Sequence, residues 1–109
     1  MITAIIVDDE SHCRSSLQTQ LKTLGNVDIV ASCGNIKEAK EAILRHKPDL
    51  LFLDVELSDS TGFELLKSLE DHSFDVIFTT AYDQYALQAI KASALDYLLK
   101  PINMADLSQ

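Results

Sequence analysis

The chain has 109 residues, and 9 basic against 17 acidic side chains give it a formal net charge of −8 at pH 7. This length suits one domain, and 47% hydrophobic residues are enough for a buried core, which excludes a disordered tail or a disulfide-dependent miniprotein. No segment has the length and apolar character of a membrane span or the pattern of a signal peptide, so we expect a cytoplasmic protein with no membrane contact. The acidic surplus argues against nucleic-acid binding by this chain's own surface.

Apolar segments alternate with helical segments along the first half of the chain. The predicted elements are a strand over residues 2–7, a helix over 11–24, a strand over 27–32, a helix over 35–46 and a strand over 50–53. Ser11 and Asn35 are candidate N-caps, Gly25 ends the first helix, and Pro48 lies beyond the second. The first strand ends at a run of three acids, and the third ends at Asp54.

The same alternation continues through the second half. The predicted elements are a helix over 61–69, a strand that opens at 76–78 and ends in two threonines, a helix over 82–92, a strand over 95–99, and the first turn of a fifth helix over 104–107 that the chain end truncates. Strands that are apolar on both faces, separated by amphipathic helices, are typical of a parallel sheet covered on both sides. The predicted fold is therefore α/β, a doubly wound five-stranded parallel sheet.

Acidic side chains follow the first and third predicted strands, and the carboxyl ends of parallel strands meet at one edge of a sheet. Asp8, Asp9 and Asp54 would therefore lie together. Any one of them alone is more simply explained as a solvated loop residue or a helix cap. Three adjacent carboxylates repel one another unless a cation neutralises them, and an all-oxygen site with open positions suits Mg²⁺ and a phosphate group.

Polar groups at the ends of the fourth and fifth strands complement this acidic edge. Lys100 offers a positive charge to a phosphate oxygen, and Thr80 offers a hydroxyl beside the backbone N–H of Ala81. A carboxylate between a metal ion and such donors can accept a phosphoryl group as an aspartyl-phosphate. The pattern thus indicates phosphoryl transfer to an aspartate.

Several spaced motifs together resemble the receiver domain of two-component response regulators. They are Val7-Asp8-Asp9-Glu10, Leu53-Asp54 followed by Gly62, Thr80-Ala81, and Tyr97-Leu98-Leu99-Lys100-Pro101. The resemblance covers nearly the whole chain in the family's order, and it implies one receiver domain over residues 1–109 with the flavodoxin-like fold of that family. Residues 80–86 and 94–101 resemble more narrowly the receivers attached to LytTR-type DNA-binding domains.

The resemblance implies a role for each matching residue. Asp54 would be the phosphoacceptor. Mg²⁺ would be held by Asp9, by Asp8 mostly through water, by Asp54 and by the backbone carbonyl of Glu56. The phosphoryl oxygens would be held by Thr80, the N–H of Ala81 and Lys100, and the rotamer of Tyr97 would follow Thr80. Where the family usually has Met-Pro after the phosphoacceptor, this chain has Leu57-Ser58 and lacks the restriction that proline imposes.

The resemblance also implies partners and a regulatory role rather than an enzyme. A sensor histidine kinase would donate the phosphoryl group, and the face formed by helix 4, strand 5 and helix 5 would form a homodimer. DNA would be bound only through a C-terminal domain that this chain does not contain. We keep two alternatives: an aspartyl-phosphate phosphatase of the haloacid-dehalogenase type, in which Asp54 and Glu56 stand in for an Asp-x-Asp pair, and a receiver that docks without being phosphorylated.

The cysteines and histidines show no metal-binding pattern. Cys13 and Cys33 are far apart, and we expect them to be buried or half-buried thiols. His12, His46 and His72 share no spacing, and we expect no ligand role for them.

Overall fold

In the computed structural model, which describes residues 2–57, 61–69, 74–81 and 96–100, five strands form one parallel sheet. The elements in chain order are β1 (Ile2–Val7), α1 (Ser11–Leu24), β2 (Val27–Cys33), α2 (Ile36–His46), β3 (Leu50–Asp54), α3 (Gly62–Ser68), β4 (Asp75–Thr80) and β5 (Asp96–Leu99). The predicted helix over 82–92 and the predicted turn over 104–107 lie outside the described residues.

The sheet has the order β2-β1-β3-β4-β5, and every pair of neighbours is parallel. The chain moves outward from β1 to β2 and then crosses back to β3, so the strand order reverses between β1 and β3. Their register pairs Val7 with Leu53, which places Asp8 and Asp54 next to each other at the carboxyl edge. A ligand site is expected at this switch point in an open α/β sheet.

Two separate apolar clusters cover the two faces of the sheet, as the predicted doubly wound fold requires. In β1, Ile5 and Val7 face α2 and α3, whereas Ala4 and Ile6 face α1. Side chains alternate between faces along a strand, so a strand that is apolar at every position needs helices on both sides. The fold class inferred from the sequence is confirmed.

The helix ends agree with the prediction at three of four positions, and Pro48 does lie just beyond the end of α2. Asn35 caps α2 by accepting a hydrogen bond from Glu38 N at 2.9 Å, and Gly25 ends α1 with φ of 80°. Ser11 was expected to cap α1, and this is wrong, because Ser11 is already the first helical residue and Glu10 occupies the cap position without a side-chain hydrogen bond. The Asp8 carboxylate accepts from Glu10 N at 3.0 Å and stabilises this turn instead.

Strand β2 differs from the expectation of strands apolar on both faces. Only Cys33 is buried in this strand, because β2 lies at an edge of the sheet and has one neighbour. The strands also run slightly past their predicted ends, since β2 includes Cys33 and β3 includes Asp54. Within the part of the chain that the structure describes, no helix combines the length and apolar character that crossing a membrane requires.

Candidate functional site

The carboxylates predicted to meet at the carboxyl edge of the sheet do meet there. Asp8 follows β1 and Asp54 ends β3, and each is only 4% exposed. Asp9 and Glu10 are exposed at the start of α1, and each of the four residues has a carboxylate oxygen within 4.8 Å of those of the others. We call Asp8, Asp9, Glu10 and Asp54 the carboxylate cluster.

Lys100 is the positive charge within this cluster. Its Nζ lies 2.8 Å from Asp8 Oδ2, 3.1 Å from Asp54 Oδ2 and 3.5 Å from Glu10 Oε1, and its side chain is 14% exposed. The backbone holds it there, because Lys100 N donates to Thr80 O at 2.7 Å where β5 ends beside β4. One ammonium group thus bridges the two buried aspartates.

Burial and neighbouring charges shift the pKa values of Asp54 and Lys100. Burial raises the pKa of Asp54 to about 6, the Lys100 charge opposes that rise, and the Asp8 charge adds to it. Burial by itself would lower the pKa of Lys100, but hydrogen bonding to Asp8 and the charges of Asp54 and Asp8 raise it above its usual value. Asp54 is therefore ionised at neutral pH but holds a proton more readily than an ordinary aspartate.

Backbone N–H groups orient the two buried carboxylates. Glu10 N donates to Asp8 Oδ1 at 3.0 Å, and Glu56 N donates to Asp54 Oδ1 at 3.2 Å. Each aspartate therefore turns its Oδ1 to its own loop and its Oδ2 to Lys100. These backbone donors and the shared Lys100 contact fix the orientation of both carboxylates.

The backbone of Asp54 and Val55 lies close to the start of α3. Gly62 N donates to Val55 O at 2.7 Å, and a Cβ at Gly62 would lie 2.6 Å from the carbonyl oxygen of Asp54. No side chain fits at that distance from backbone, so glycine is required here for a steric reason. The Gly62 that follows Leu53-Asp54 in the sequence motif thus lets the start of α3 lie directly against the backbone of Asp54.

Arg14 is a residue of the site that the sequence did not single out. Its Nη1 donates to the backbone carbonyl of Asp8 at 2.6 Å, from one turn inside α1. A basic residue one helical turn past an acid run was the available signal, but surface arginines are common at such positions. Thr79 is also buried, beside Thr80.

The remaining predicted residues lie around one cavity or beside it. A cavity of about 220 Å³ is lined by Asp9, Glu10, Asp54, Glu56, Ala81 and Lys100. Thr80 is fully buried at the end of β4 and is joined to Lys100 through the backbone. Tyr97 is half-buried in β5 and packs against the larger apolar cluster rather than lining the cavity.

The donors of the carboxylate cluster fit Mg²⁺. All are oxygen atoms, and Lys100 provides one positive charge against four carboxylates, so an uncompensated negative charge remains. Mg²⁺ prefers carboxylate oxygens and keeps several waters, and the cavity beside exposed Asp9 leaves room for them. The carboxylates of Asp9 and Asp54 and the backbone of Glu56 are the groups that would hold the ion from this side.

Comparison with known proteins gives one consistent family. The profile of the response regulator receiver domain family matches residues 4–109. The chain is 42% identical over 106 residues to the sensory transduction protein LytT of Bacillus anthracis, covering 94% of this chain and 43% of that protein. It is 39% identical over 110 aligned positions to the transcriptional regulatory protein BtsR of Escherichia coli K12, covering 100% of this chain and 46% of that one.

Solved structures agree with the fold. The receiver domain of AraT from Geobacillus stearothermophilus has a TM-score of 0.87 at 32% identity, covering 98% of this chain and 87% of that one. The response regulatory domain of mrkE from Klebsiella pneumoniae has a TM-score of 0.87 at 28% identity, covering 97% and 88%.

This chain spans less than half the length of the curated relatives described above. The family match nevertheless covers almost all of it, in agreement with the sheet order and the carboxylate cluster. The chain belongs to the response regulator receiver family and is the receiver domain of a two-component response regulator.

Proposed function

We propose that Asp54 accepts a phosphoryl group from the phosphohistidine of a sensor histidine kinase, that Mg²⁺ is required, and that the chain is a regulatory domain rather than an enzyme. The observation that carries this proposal is the geometry around Asp54. Its buried carboxylate lies at the switch point of the sheet, 3.1 Å from the Lys100 ammonium group and within the carboxylate cluster.

The transfer forms one bond and breaks one bond. A carboxylate oxygen of Asp54 attacks phosphorus, the P–O bond forms as the P–N bond to the kinase histidine breaks, and the histidine nitrogen leaves with the electron pair. The pKa of Asp54, about 6, keeps it ionised at neutral pH, as a nucleophile must be. When bound, Mg²⁺ would offset the negative charge of the carboxylates and of the phosphoryl oxygens.

Three groups of this chain would hold the transferred phosphoryl group. Lys100 already contacts Asp54 and would turn its N–H donors to a phosphoryl oxygen. Thr80 ends β4 beside β5, and Ala81, which follows it, lines the same cavity as Asp54, so the Thr80 hydroxyl and the Ala81 N–H would donate to the other phosphoryl oxygens. The new charge-assisted hydrogen bonds would favour a second conformation.

We propose that this second conformation is read out through β5. Tyr97 pairs with Phe78 on β4 and is only half-buried, so it can pack more deeply when Thr80 moves. The output would be homodimerisation through the face of helix 4, strand 5 and helix 5, followed by DNA binding through a further, LytTR-type domain. Relatives named a sensory transduction protein and a transcriptional regulatory protein support this, as does their greater length.

We place the protein in the cytoplasm, where ATP-derived phosphoryl groups are available.

Labelling with a small phosphodonor tests the acceptor. With acetyl phosphate and Mg²⁺, the intact mass of the parent should rise by one phosphoryl group, and chelation of Mg²⁺ should prevent the rise. Asp54→Asn should not be labelled, whereas Asp75→Asn, which removes an exposed aspartate of β4, should be labelled like the parent. Labelling of Asp54→Asn at the parent level would overturn the assignment. An unlabelled parent would instead favour the docking receiver.

A second experiment tests the switch separately from the chemistry. Thr80→Val removes the hydroxyl while keeping the side chain branched, and Thr80→Ser keeps the hydroxyl. We expect Thr80→Val to be labelled at Asp54 but to lose phosphorylation-dependent dimerisation in size-exclusion chromatography, and Thr80→Ser to keep both. Equal dimerisation of both variants after labelling would remove Thr80 from the switch.

A further inference from the structure

The N-cap residue and the first turn of α1 together carry three different metal-binding donors at close range. His12 Nε2 lies 3.7 Å from Glu10 Oε2 and 3.6 Å from Cys13 Sγ, and all three donor atoms lie within 4.8 Å of one another. A tetrahedral zinc ion with a Zn–S bond of about 2.3 Å and a Zn–N bond of about 2.05 Å separates sulfur from nitrogen by about 3.6 Å. The sulfur-to-nitrogen distance already matches this geometry.

The donor types differ from those of the carboxylate cluster. Thiolate, imidazole and carboxylate together are typical of zinc and similar transition-metal ions, whereas Mg²⁺ prefers oxygen alone. We propose that Glu10, His12 and Cys13 form a binding site for Zn²⁺ at the rim of the phosphoacceptor pocket. We call these residues the Glu-His-Cys site. Binding would replace the thiol proton of Cys13 with the metal and release that proton to solvent.

The surroundings leave room for the rest of a coordination sphere. A cavity of about 380 Å³ is lined by all three residues and by Ser16, one turn further along α1. The side chains of His12 and Glu10 are 79% and 52% exposed, so an ion can reach them directly from solvent. Three protein ligands with water in the fourth position make an open site.

Glu10 links this site to the phosphoacceptor pocket. One of its oxygens faces His12, and the other lies 3.5 Å from the Lys100 Nζ that contacts Asp54. A zinc ion on Glu10 would compete with Lys100 for this carboxylate and add positive charge beside the carboxylate cluster. Zn²⁺ at the Glu-His-Cys site should therefore weaken Mg²⁺ binding by a few fold, and by linkage Mg²⁺ should weaken Zn²⁺ binding equally.

Metal titrations of the chain with Mg²⁺ in excess test the proposal. Zn²⁺ affinity is measured by competition with a chromophoric chelator, and Co²⁺ serves as a spectroscopic probe, because thiolate ligation gives an intense charge-transfer band. Cys13→Ser should abolish that band, and Cys13→Ser and His12→Ala should each lower Zn²⁺ affinity on the order of tenfold or more, since even outer-shell changes commonly cost that much.

Two control variants change a cysteine and a histidine outside the Glu-His-Cys site. Cys33→Ala changes the buried cysteine at the end of β2, and His46→Ala changes an exposed histidine in the last turn of α2. Both variants should keep the charge-transfer band and bind Zn²⁺ within about twofold of the parent affinity, with folding checked by circular dichroism.

A charge-transfer band that survives Cys13→Ser overturns the proposal. So does an affinity that falls in Asp54→Asn but not in Cys13→Ser, because the ion would then occupy the carboxylate cluster. Phosphoryl labelling of Cys13→Ser should match the parent, so this test does not depend on the proposed function.

Discussion

The two ends of β3 each carry an aspartate, and their environments have opposite effects. Asp49 precedes the strand and is exposed, and its carboxylate accepts from Thr3 N at 3.0 Å and from Thr3 Oγ1 at 3.1 Å. These hydrogen bonds from Thr3 lower the pKa of Asp49. Asp54 ends the strand and is buried, and burial raises its pKa to about 6. The surroundings of Asp49 thus stabilise its ionised form, whereas the surroundings of Asp54 make its ionised form cost stability.

The difference in pKa between Asp49 and Asp54 agrees with the role proposed for Asp54. Hydrogen bonds to a carboxylate in water stabilise its ionised form, whereas burial near Asp8 destabilises it unless Lys100 compensates. A carboxylate stabilised like Asp49 has little to gain from new partners. Asp54 gains from any cation or donor brought to it, which is what a metal-dependent phosphoacceptor needs.

Removing Lys100 should have the largest effect at the carboxyl end of β3. Lys100→Met leaves Asp8 and Asp54 buried without their shared cation, and we expect a loss of about 2 to 4 kcal/mol of unfolding free energy near neutral pH, less than the full cost of a broken buried pair because Asp54 can take up a proton. Without the Lys100 charge the pKa of Asp54 should rise above its parent value of about 6, so the loss should shrink as the pH falls from that raised value to about 6 and should level off below it. Urea titrations at neutral and acidic pH measure both.

Lys22→Met, in the last turn of α1, is the matched control, because Lys22 is exposed and lies at the other end of that helix from the site. It should cost less than about 1 kcal/mol. If Lys100→Met costs no more than Lys22→Met, the ammonium group does not hold the two aspartates together as described.

Asp54→Asn should stabilise the protein near neutral pH. The folded-state pKa of Asp54 is about 6, above its ordinary value of 3.8, so the stability that the protonated group provides is complete below about pH 4 and is lost as the pH rises to about 6. Asparagine is neutral at every pH and avoids this loss, so the variant should gain about 1 to 3 kcal/mol at pH 7. Denaturant titrations should show this gain in unfolding free energy falling to zero as the pH approaches 4. A variant less stable than the parent at pH 7 would mean that the Lys100 contact outweighs burial.

Asp49→Asn should have the opposite sign. The folded-state pKa of Asp49 is lowered, so its contribution to stability is present above its ordinary value of 3.8 and is lost as the pH falls through the folded value. The variant should therefore be less stable than the parent at neutral pH and equal to it in strong acid. Thermal melts against pH check this, with Asp28→Asn on β2 correcting for the loss of one negative charge. A gain at neutral pH beyond that of Asp28→Asn would contradict the comparison.

Asp9→Ala should have the smallest effect on stability, with a sign that depends on metal. Without metal the change relieves repulsion within the carboxylate cluster, and because Asp9 is exposed we expect a gain of less than about 1 kcal/mol. With Mg²⁺ the parent should gain more than the variant, because binding to the folded state stabilises it. Thermal melts of the parent and the variant, in chelator and in Mg²⁺, measure both differences. A lower melting temperature than the parent in chelator would contradict the repulsion argument.

The sequence by itself determined the fold class and the positions of the polar residues along the strands. The apolar runs at residues 4–7 and 50–53 have no polar face, and this local pattern requires helices on both sides of the sheet. The acids that end β1 and β3 were visible for the same reason, because a buried strand stops where charge begins. The cap at Asn35 and the stop at Gly25 are also local and were predicted correctly.

Only the tertiary structure decided which groups touch and which strand is exposed. The Lys100–Asp54 contact joins residues 46 apart, and Arg14 reaches the Asp8 carbonyl by a geometry that no periodicity encodes. Half-exposed β2 became an edge strand through the order of the sheet, which depends on crossovers rather than on its own residues. The carboxylate of Asp8 replaced the expected Ser11 cap, and the proximity of His12 to Cys13 and Glu10 depends on side-chain rotamers. Sequence periodicity reports how much each residue is buried, whereas distances between side chains follow from register, crossovers and rotamers, which are settled only when the whole sheet packs.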